Sequence, residues 1–243
     1  MKKQIPNLLT ATNLFFGMVA MVFIFIDNLT GAMIAVLISL VMDFFDGFVA
    51  RMLKVQGPIG KELDSLADMV TFGAVPGMVM ARLIHESTGG LFPPEQITLS
   101  EGFPWFLLGF LITILSAFRL AKFNLDERQS DAFYGVPTPA NTILIFSFWM
   151  ITEWRPDFWL SNVLNNTWVL IGITAIASWL LVADIRLLAL KFKNFSVADN
   201  LFRYILIGST VILLAIFQHV GIPFIILLYL ALSLVENMMK GSN

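Results

Sequence analysis

Residues 31–53 read GAMIAVLISLVMDFFDGFVARML, and residues 61–85 read KELDSLADMVTFGAVPGMVMARLIH. Each run is long enough to cross a bilayer as a helix, which takes roughly 20 residues. The first nevertheless carries Asp43 and Asp46, and the second Asp64 and Asp68. A carboxylate in hydrocarbon costs about 2.5–3.5 kcal/mol, so four approach a cost on the order of 10 kcal/mol. Something must offset this: a shallow position at the interface, Lys or Arg partners, or metal.

Spacing narrows the choice. Asp43 and Asp46 are three apart and Asp64 and Asp68 four apart, so each pair shares one face of its helix. The connection around Leu53 to Gly60 is short, which makes the two helices antiparallel neighbours whose acidic faces meet. Four converging carboxylates repel one another unless a cation lies between them. Oxygen donors suit Mg²⁺, Mn²⁺ or Ca²⁺. The sequence has no Cys and only His85 and His219, far apart in the chain, which argues against zinc. Gly47 and Ala50 would let a phosphate approach the helix backbone, and Arg51 offers a planar donor fork. Gly57, Pro58 and Gly60 shape the turn. The bland alternative is that Arg51, Lys54 and Lys61 simply pair with the acids.

The rest of the chain has the same character. Of 243 residues 58% are hydrophobic and 13% charged, with a mean hydropathy of +0.82. A soluble domain carries about 25% charged residues. Eight apolar runs, near 7–26, 31–53, 61–85, 103–124, 136–153, 165–183, 201–217 and 222–239, predict an all-α polytopic transmembrane bundle forming one domain over 1–243. The first run is too long for a signal-peptide core. No run alternates as a barrel strand does, and no basic tract suggests nucleic acid.

Charge sets the expected orientation. With the N-terminus inside, the inner segments hold Lys2, Lys3, Arg51, Lys54, Lys61, Arg119, Lys122, Arg128, Arg186, Lys191, Lys193, Arg203 and Lys240, against Arg82 and Arg155 outside. This bias predicts both termini and the aspartates on the cytoplasmic side of the cell membrane. The loop near 86–102, with Glu86, Glu95 and Glu101, reads as a solvated outer connector. Asp184 is expected to pair within the loop that carries Arg186, Lys191 and Lys193.

The segment Asp43-Phe-Phe-Asp46-Gly47-Phe-Val-Ala50-Arg51, with Gly60, Asp64 and Asp68 following, resembles the signature D-x2-D-G-x2-A-R-x8-G-x3-D-x3-D of the CDP-alcohol phosphatidyltransferases. All eight fixed residues and every gap over 26 positions match. The resemblance implies two divalent cations, with Asp43 and Asp64 bridging both, Asp46 binding one, and Asp68 binding the other and acting as general base. It implies that Gly47 and Arg51 contact a CDP-linked lipid, CDP-diacylglycerol, with Ala50, Gly57 and Gly60 expected at the same lipid site, in a membrane-embedded homodimer. It also draws in Asn7, Thr10 and Asn13 near the start of the first helix as nucleotide contacts. Asn7 or Thr10 serves equally well as a simple helix cap.

Two further stretches bear on the acceptor. Ser116-Ala117-Phe118-Arg119-Leu120-Ala121-Lys122-Phe123-Asn124 and Phe133-Tyr134-Gly135-Val136-Pro137-Thr138-Pro139-Ala140-Asn141 resemble the phosphatidylserine synthase branch. There an R-L-A-R stretch, an aromatic residue and N precede F-x-G-x-P-x-P-A. Lys122 stands where the branch has a second arginine, which keeps the charge and loses the fork. The resemblance implies L-serine as acceptor, its carboxylate near Arg119 and its polar contacts from Asn124 and Thr138. Lys122 reads rather as an interfacial anchor.

Sibling transferases taking glycerol phosphate or an inositol compound remain alternatives, although such acceptors demand a larger basic cluster than Arg119 and Lys122. A cation transporter using the same acids is a more distant one. Transporters often show repeats and midplane sites, whereas these acids lie near helix ends. A purely structural scaffold leaves the cost of four buried acids unexplained.

Overall fold

A computed structural model describes residues 4–94, 103–125, 133–188, 196–197 and 200–240. Lys2, Lys3, Glu95, Glu101, Arg128, Lys191 and Lys193, which carry part of the charge argument, lie outside these residues.

Each of the eight expected runs is helical. The elements are α1 (Gln4–Phe25), α2 (Leu29–Met52), α3 (Pro58–Asp68), a π-helical segment (Met69–Ala74) and α4 (Val75–Ser87). Then come a 3₁₀ stretch (Trp105–Phe110), α5 (Leu111–Leu125), α6 (Thr138–Trp154), the short α7 (Trp159–Leu164) and α8 (Thr167–Val182). The chain closes with α9 (Leu201–Phe217) and α10 (Gly221–Lys240). Five stretches are long and apolar enough to cross a membrane: Gln4–Phe25, Leu29–Met52, Pro58–Ser87, Trp105–Leu125 and Leu201–Met239. The last is divided between α9 and α10 by a turn in which Gln218 takes a positive φ of 52°. Large apolar side chains such as Leu8, Phe44, Phe118, Trp168, Ile216 and Leu227 are exposed, the surface expected of a protein solvated by lipid tails.

The central post is the continuous rod from Pro58 to Ser87. Between Val75 and Ile84 every residue but Met78 is buried, with α1, α5, α6 and α8 packed around it. Small residues permit the close crossings, as is usual where lipid gives helices little reason to associate. A Cβ on Gly109 would run into the Ala81 backbone, and one on Gly17 into Thr71.

The rod owes its irregular middle to Pro76. Proline has no N–H to donate to the carbonyl four residues earlier, that of Phe72. The Thr142 hydroxyl of α6 approaches that carbonyl at 3.3 Å. The Thr113 hydroxyl of α5 donates to the Gly73 carbonyl at 3.0 Å. The π turn begins at the residue after Asp68, so the widened backbone directly follows an acidic site residue.

Two features depart from the sequence reading. A two-residue antiparallel ladder, β1 (Phe133–Tyr134) with β2 (Arg186–Leu187), joins the segments before α6 and after α8. Asp184 does not pair only within its own loop: it takes the Lys122 ammonium of α5 at 2.8 Å. The fold brings the end of α8 beside the end of α5, a proximity that sequence separation conceals.

The contacts sort into two ends. At one lie the aspartates, Arg51, Lys61, Asn124 and the Lys122–Asp184 pair. At the other, Arg82 binds Asp27 and Glu86 at 2.5 and 2.6 Å, and Trp154 packs on His219.

Candidate active site

The site is built from the start of α1, the end of α2 and the start of the central rod. α1 and α2 form a tight antiparallel pair, capped at its turn by Asn28, whose side chain accepts from Gly31 N at 2.8 Å. α2 therefore delivers its last turns beside the first turns of α1. The loop 53–57 then reverses the chain, with Lys54 in a left-handed conformation at φ 54°. Gly57 is extended at φ −162°, and a Cβ there would meet nothing. The strained position of this turn thus falls on Lys54 and not on either glycine.

Three of the four aspartates converge. One carboxylate oxygen each from Asp43, Asp64 and Asp68 lies within 4.8 Å of the others. Oxygen ligands surround Mg²⁺ or Ca²⁺ at about 2.0–2.6 Å from the ion, so this spacing fits one cation among them. Among the described residues no Lys or Arg comes within 4.0 Å of any of the four acids, the distance at which ion pairs form here. Asp64 Oδ1 is buried without a hydrogen-bond partner, a costly state for a carboxylate oxygen unless a cation takes it. The donor set is oxygen only: there is no Cys, and His85 and His219 lie at the opposite end of the bundle. The residues present therefore fit a hard divalent cation, and plain interfacial salt bridges do not account for them.

Asp46 stands apart from this trio. It is 5% exposed, its Oδ2 accepts from the Thr10 hydroxyl at 2.5 Å, and it lines a cleft of about 480 Å³. The other walls are Pro6, Asn7 and Thr10 of α1, Gly47, Ala50 and Arg51 of α2, and Val55 to Pro58, Gly60, Lys61 and Asp64. Every residue expected to meet the CDP-linked lipid lies on this cleft except Asn13. The Arg51 guanidinium lies over Gly47, where a Cβ would meet Nη1 at 3.3 Å. Gly60 faces the Asn7 side chain, with 3.5 Å from an added Cβ to Oδ1.

Asn13 sits deeper and does something else. Fully buried, it donates from Nδ2 to Asp68 Oδ1 at 3.2 Å. Its carbonyl accepts from Ser39 at 3.0 Å and from Thr71 at 3.3 Å. It is a support for an acid rather than a cleft wall. Thr10 does not cap the helix, which begins at Gln4: its hydroxyl lies 3.1 Å from the Pro6 carbonyl one turn back and reaches Asp46 across 36 residues of sequence.

The residues expected to meet the acceptor divide. Arg119 is 7% exposed and its Nε has no partner. Thr138 is buried with an unpartnered hydroxyl. Asn124 is already engaged: its amide donates to Ser65 Oγ at 2.8 Å, and its carbonyl accepts from Lys61 Nζ at 2.8 Å. Lys61 and Ser65 were not expected as site residues. The signal for Lys61 was its place three residues before Asp64, on the same helical face.

Comparison with known proteins agrees with this geometry. The family model described as CDP-alcohol phosphatidyltransferase matches residues 3–184. A Helicobacter pylori protein named CDP-diacylglycerol–serine O-phosphatidyltransferase is 33% identical over 142 residues, 58% of this chain and 54% of that protein. A Bacillus subtilis protein of the same name is 32% identical over 146 residues, 59% of this chain and 75% of that protein. An archaetidylserine synthase from Methanothermobacter thermautotrophicus is 29% identical over 149 residues, 60% of this chain and 58% of that protein. The chain thus spans about half the length of the Helicobacter relative it matches. With the family model matching residues 3–184 and the whole signature inside them, the chain belongs to the CDP-alcohol phosphatidyltransferase family.

Proposed function

We propose that this protein transfers the phosphatidyl group of CDP-diacylglycerol to L-serine, giving phosphatidylserine and CMP. The observation that carries the reaction type is the Asp43–Asp64–Asp68 cluster, with oxygens within 4.8 Å of one another, beside a cleft walled by Arg51 and two glycines of the signature. Serine as acceptor is supported by the names of the similar proteins from Helicobacter and Bacillus, and by the buried Arg119 as partner for its carboxylate.

Asp43, Asp46, Asp64 and Asp68 would together hold two divalent cations, with Asp43 and Asp64 shared between them, Asp46 on one and Asp68 on the other. A divalent cation held there, Mg²⁺ or Mn²⁺, would supply positive charge to offset the negative charge of the pyrophosphate and of the departing CMP. The chain's own groups do the rest. Arg51 clamps a phosphate through its fork, and Gly47 keeps the α2 backbone accessible beneath it. Thr10 orients Asp46, and Asn13 orients Asp68. The serine hydroxyl oxygen forms a bond to the phosphorus on the diacylglycerol side. The bond from that phosphorus to the bridging oxygen breaks, CMP leaves with the electron pair, and Asp68 takes the hydroxyl proton. Among the described residues no Ser–His or Cys–His pair lies at the site, which supports direct transfer over a covalent intermediate. The acids face the cytoplasm, following the positive-inside rule.

The test is CMP release by purified protein with Mg²⁺ or Mn²⁺, comparing serine, glycerol 3-phosphate and inositol compounds. Serine-dependent release that disappears in Asp68→Asn is the expected result. Release with a different acceptor would reject serine. No release from folded protein would reject the transferase reading in favour of cation transport by the same acids.

A further inference from the structure

Tyr229, Ser233 and Asn237 follow one another at intervals of four on α10 and so form a stripe on one face. α10 lies outside the residues that match the family model. All three side chains grip one short piece of backbone. The Tyr229 hydroxyl donates to the Leu188 carbonyl at 3.2 Å, and Leu188 N donates to Ser233 Oγ at 3.0 Å. The Asn237 amide donates to the Arg186 carbonyl at 2.6 Å. The Ser233 hydroxyl proton is spent on the Tyr229 carbonyl at 2.7 Å, which turns its lone pairs toward Leu188.

That piece of backbone is a strap tied on two further sides. Through β2 it pairs with β1, and Gly135 N donates to the Ile185 carbonyl at 3.0 Å. At Asp184 it takes Lys122 of α5 at 2.8 Å. The strap therefore connects the end of α5, which carries Arg119, to the loop that leads into Thr138. A two-residue ladder is marginal by itself, so its geometry depends on what holds its outer edge. Gly135, at φ +74°, marks how tightly the loop is seated: a Cβ there would run into the Leu181 carbonyl.

We propose that the Tyr229–Ser233–Asn237 stripe is an acceptor-positioning device. By holding residues 186–188 it fixes Arg119 and Thr138 relative to each other, and so sets affinity for the acceptor while leaving the CDP-lipid cleft untouched. The inference rests on the acceptor assignment made above. A helix that only needed to dock could do so with apolar side chains; three polar groups aimed at one backbone segment specify its position.

The test uses full-length protein carrying Tyr229→Phe, Asn237→Ala and the pair together. In the double variant the acceptor KM rises roughly three- to tenfold, the scale of one or two lost hydrogen bonds. The KM for CDP-diacylglycerol, the Mg²⁺ midpoint and kcat at saturating acceptor stay at wild-type values. Gly135→Ala, which displaces the loop from its other side, gives the same selective rise. Met238→Ala, exposed on the neighbouring position, changes nothing. Parallel rises in both KM values, a fall in kcat alone, or no change in the double variant would overturn the proposal. Tyr229→Phe removes a single oxygen, so it keeps the test open if the double variant does not fold. If wild-type protein uses an acceptor other than serine, that acceptor's KM becomes the readout, which separates this inference from the serine assignment. Folded wild-type protein that releases no CMP with any acceptor would overturn both.

Discussion

The amide of Asn13 on α1 donates to Asp68 Oδ1 at 3.2 Å, tying the first helix to the acid expected to receive the acceptor proton. Asn13 is fixed in turn by Ser39 and Thr71, whose hydroxyls both reach its carbonyl. Supports of this kind around metal-binding acids typically matter by about 10–100-fold. Asn13→Ala is expected to lower kcat by that order while the protein keeps its fold. CMP release measured against Mg²⁺ concentration checks it, and a wild-type kcat would remove Asn13 from the site.

Asp64 and Asp68 should separate in their response to metal. Asp64 carries the orphaned oxygen, so Asp64→Asn loses a ligand and is expected to shift the Mg²⁺ or Mn²⁺ midpoint upward. Asp68→Asn also loses the proton acceptor, and general-base contributions are about 10²–10⁴-fold. Its activity should stay low even at saturating metal. Recovery of Asp68→Asn by high metal alone would show that it serves only as a ligand.

The Thr142 hydroxyl lies by the Phe72 carbonyl that Pro76 cannot serve. The single Thr142 proton faces both the Thr138 carbonyl at 2.9 Å and the Phe72 carbonyl at 3.3 Å, and Thr142→Val keeps the shape of the side chain while removing that donor from both. The expected loss is about 1–3 kcal/mol, read as a lower Tm in detergent. An unchanged Tm would mean that the π turn satisfies Phe72 in another way.

Much of this arrangement was legible in the sequence. The acids announced themselves because charge in an apolar run is costly, and their intervals of three and four fixed their faces. The eight helices followed from hydropathy, which responds to the same solvent that orders the bundle. What the sequence concealed depends on tertiary proximity. Asn13 read as a nucleotide contact because the family resemblance draws in the start of the first helix, and only packing against the central rod turns it toward Asp68. That Asp46 falls outside the trio whose oxygens lie within 4.8 Å of one another is a matter of distance that periodicity does not resolve. Lys122 and Asp184 lie 62 positions apart, and nothing local to either foretells their meeting. The π turn was hidden too, although Pro76 was its available signal.

Arg82 allows the two ends of the bundle to be tested independently. It is 3% exposed, binds Asp27 and Glu86, and lies over the Trp149 ring at 4.5 Å. Asp27 is largely exposed, so its abandonment costs less than that of a fully buried partner. Arg82→Met is expected to lower stability by about 2 kcal/mol, below the range for fully buried pairs. Both KM values should be preserved, since the aspartates lie at the other end. A selective change in either KM would reveal coupling between the two ends.

Arg51 offers the sharpest test of the cleft. Its guanidinium lies over Gly47, where a phosphate of the CDP-linked lipid would be clamped between the fork and the bare helix backbone. Arg51→Lys keeps the charge and loses the paired donors. It is expected to raise the KM for CDP-diacylglycerol roughly tenfold, about 1.4 kcal/mol, with little effect on the acceptor KM. Gly47→Ala approaches the same contact from beneath. The added methyl would meet Arg51 Nη1 at 3.3 Å, and that flexible end can swing aside without disturbing the fold. Gly47→Ala should therefore fold normally, raise the same KM, and add little to Arg51→Lys in the double variant, because both remove one clamp. Fully additive effects would place the two residues on separate contacts with the lipid substrate.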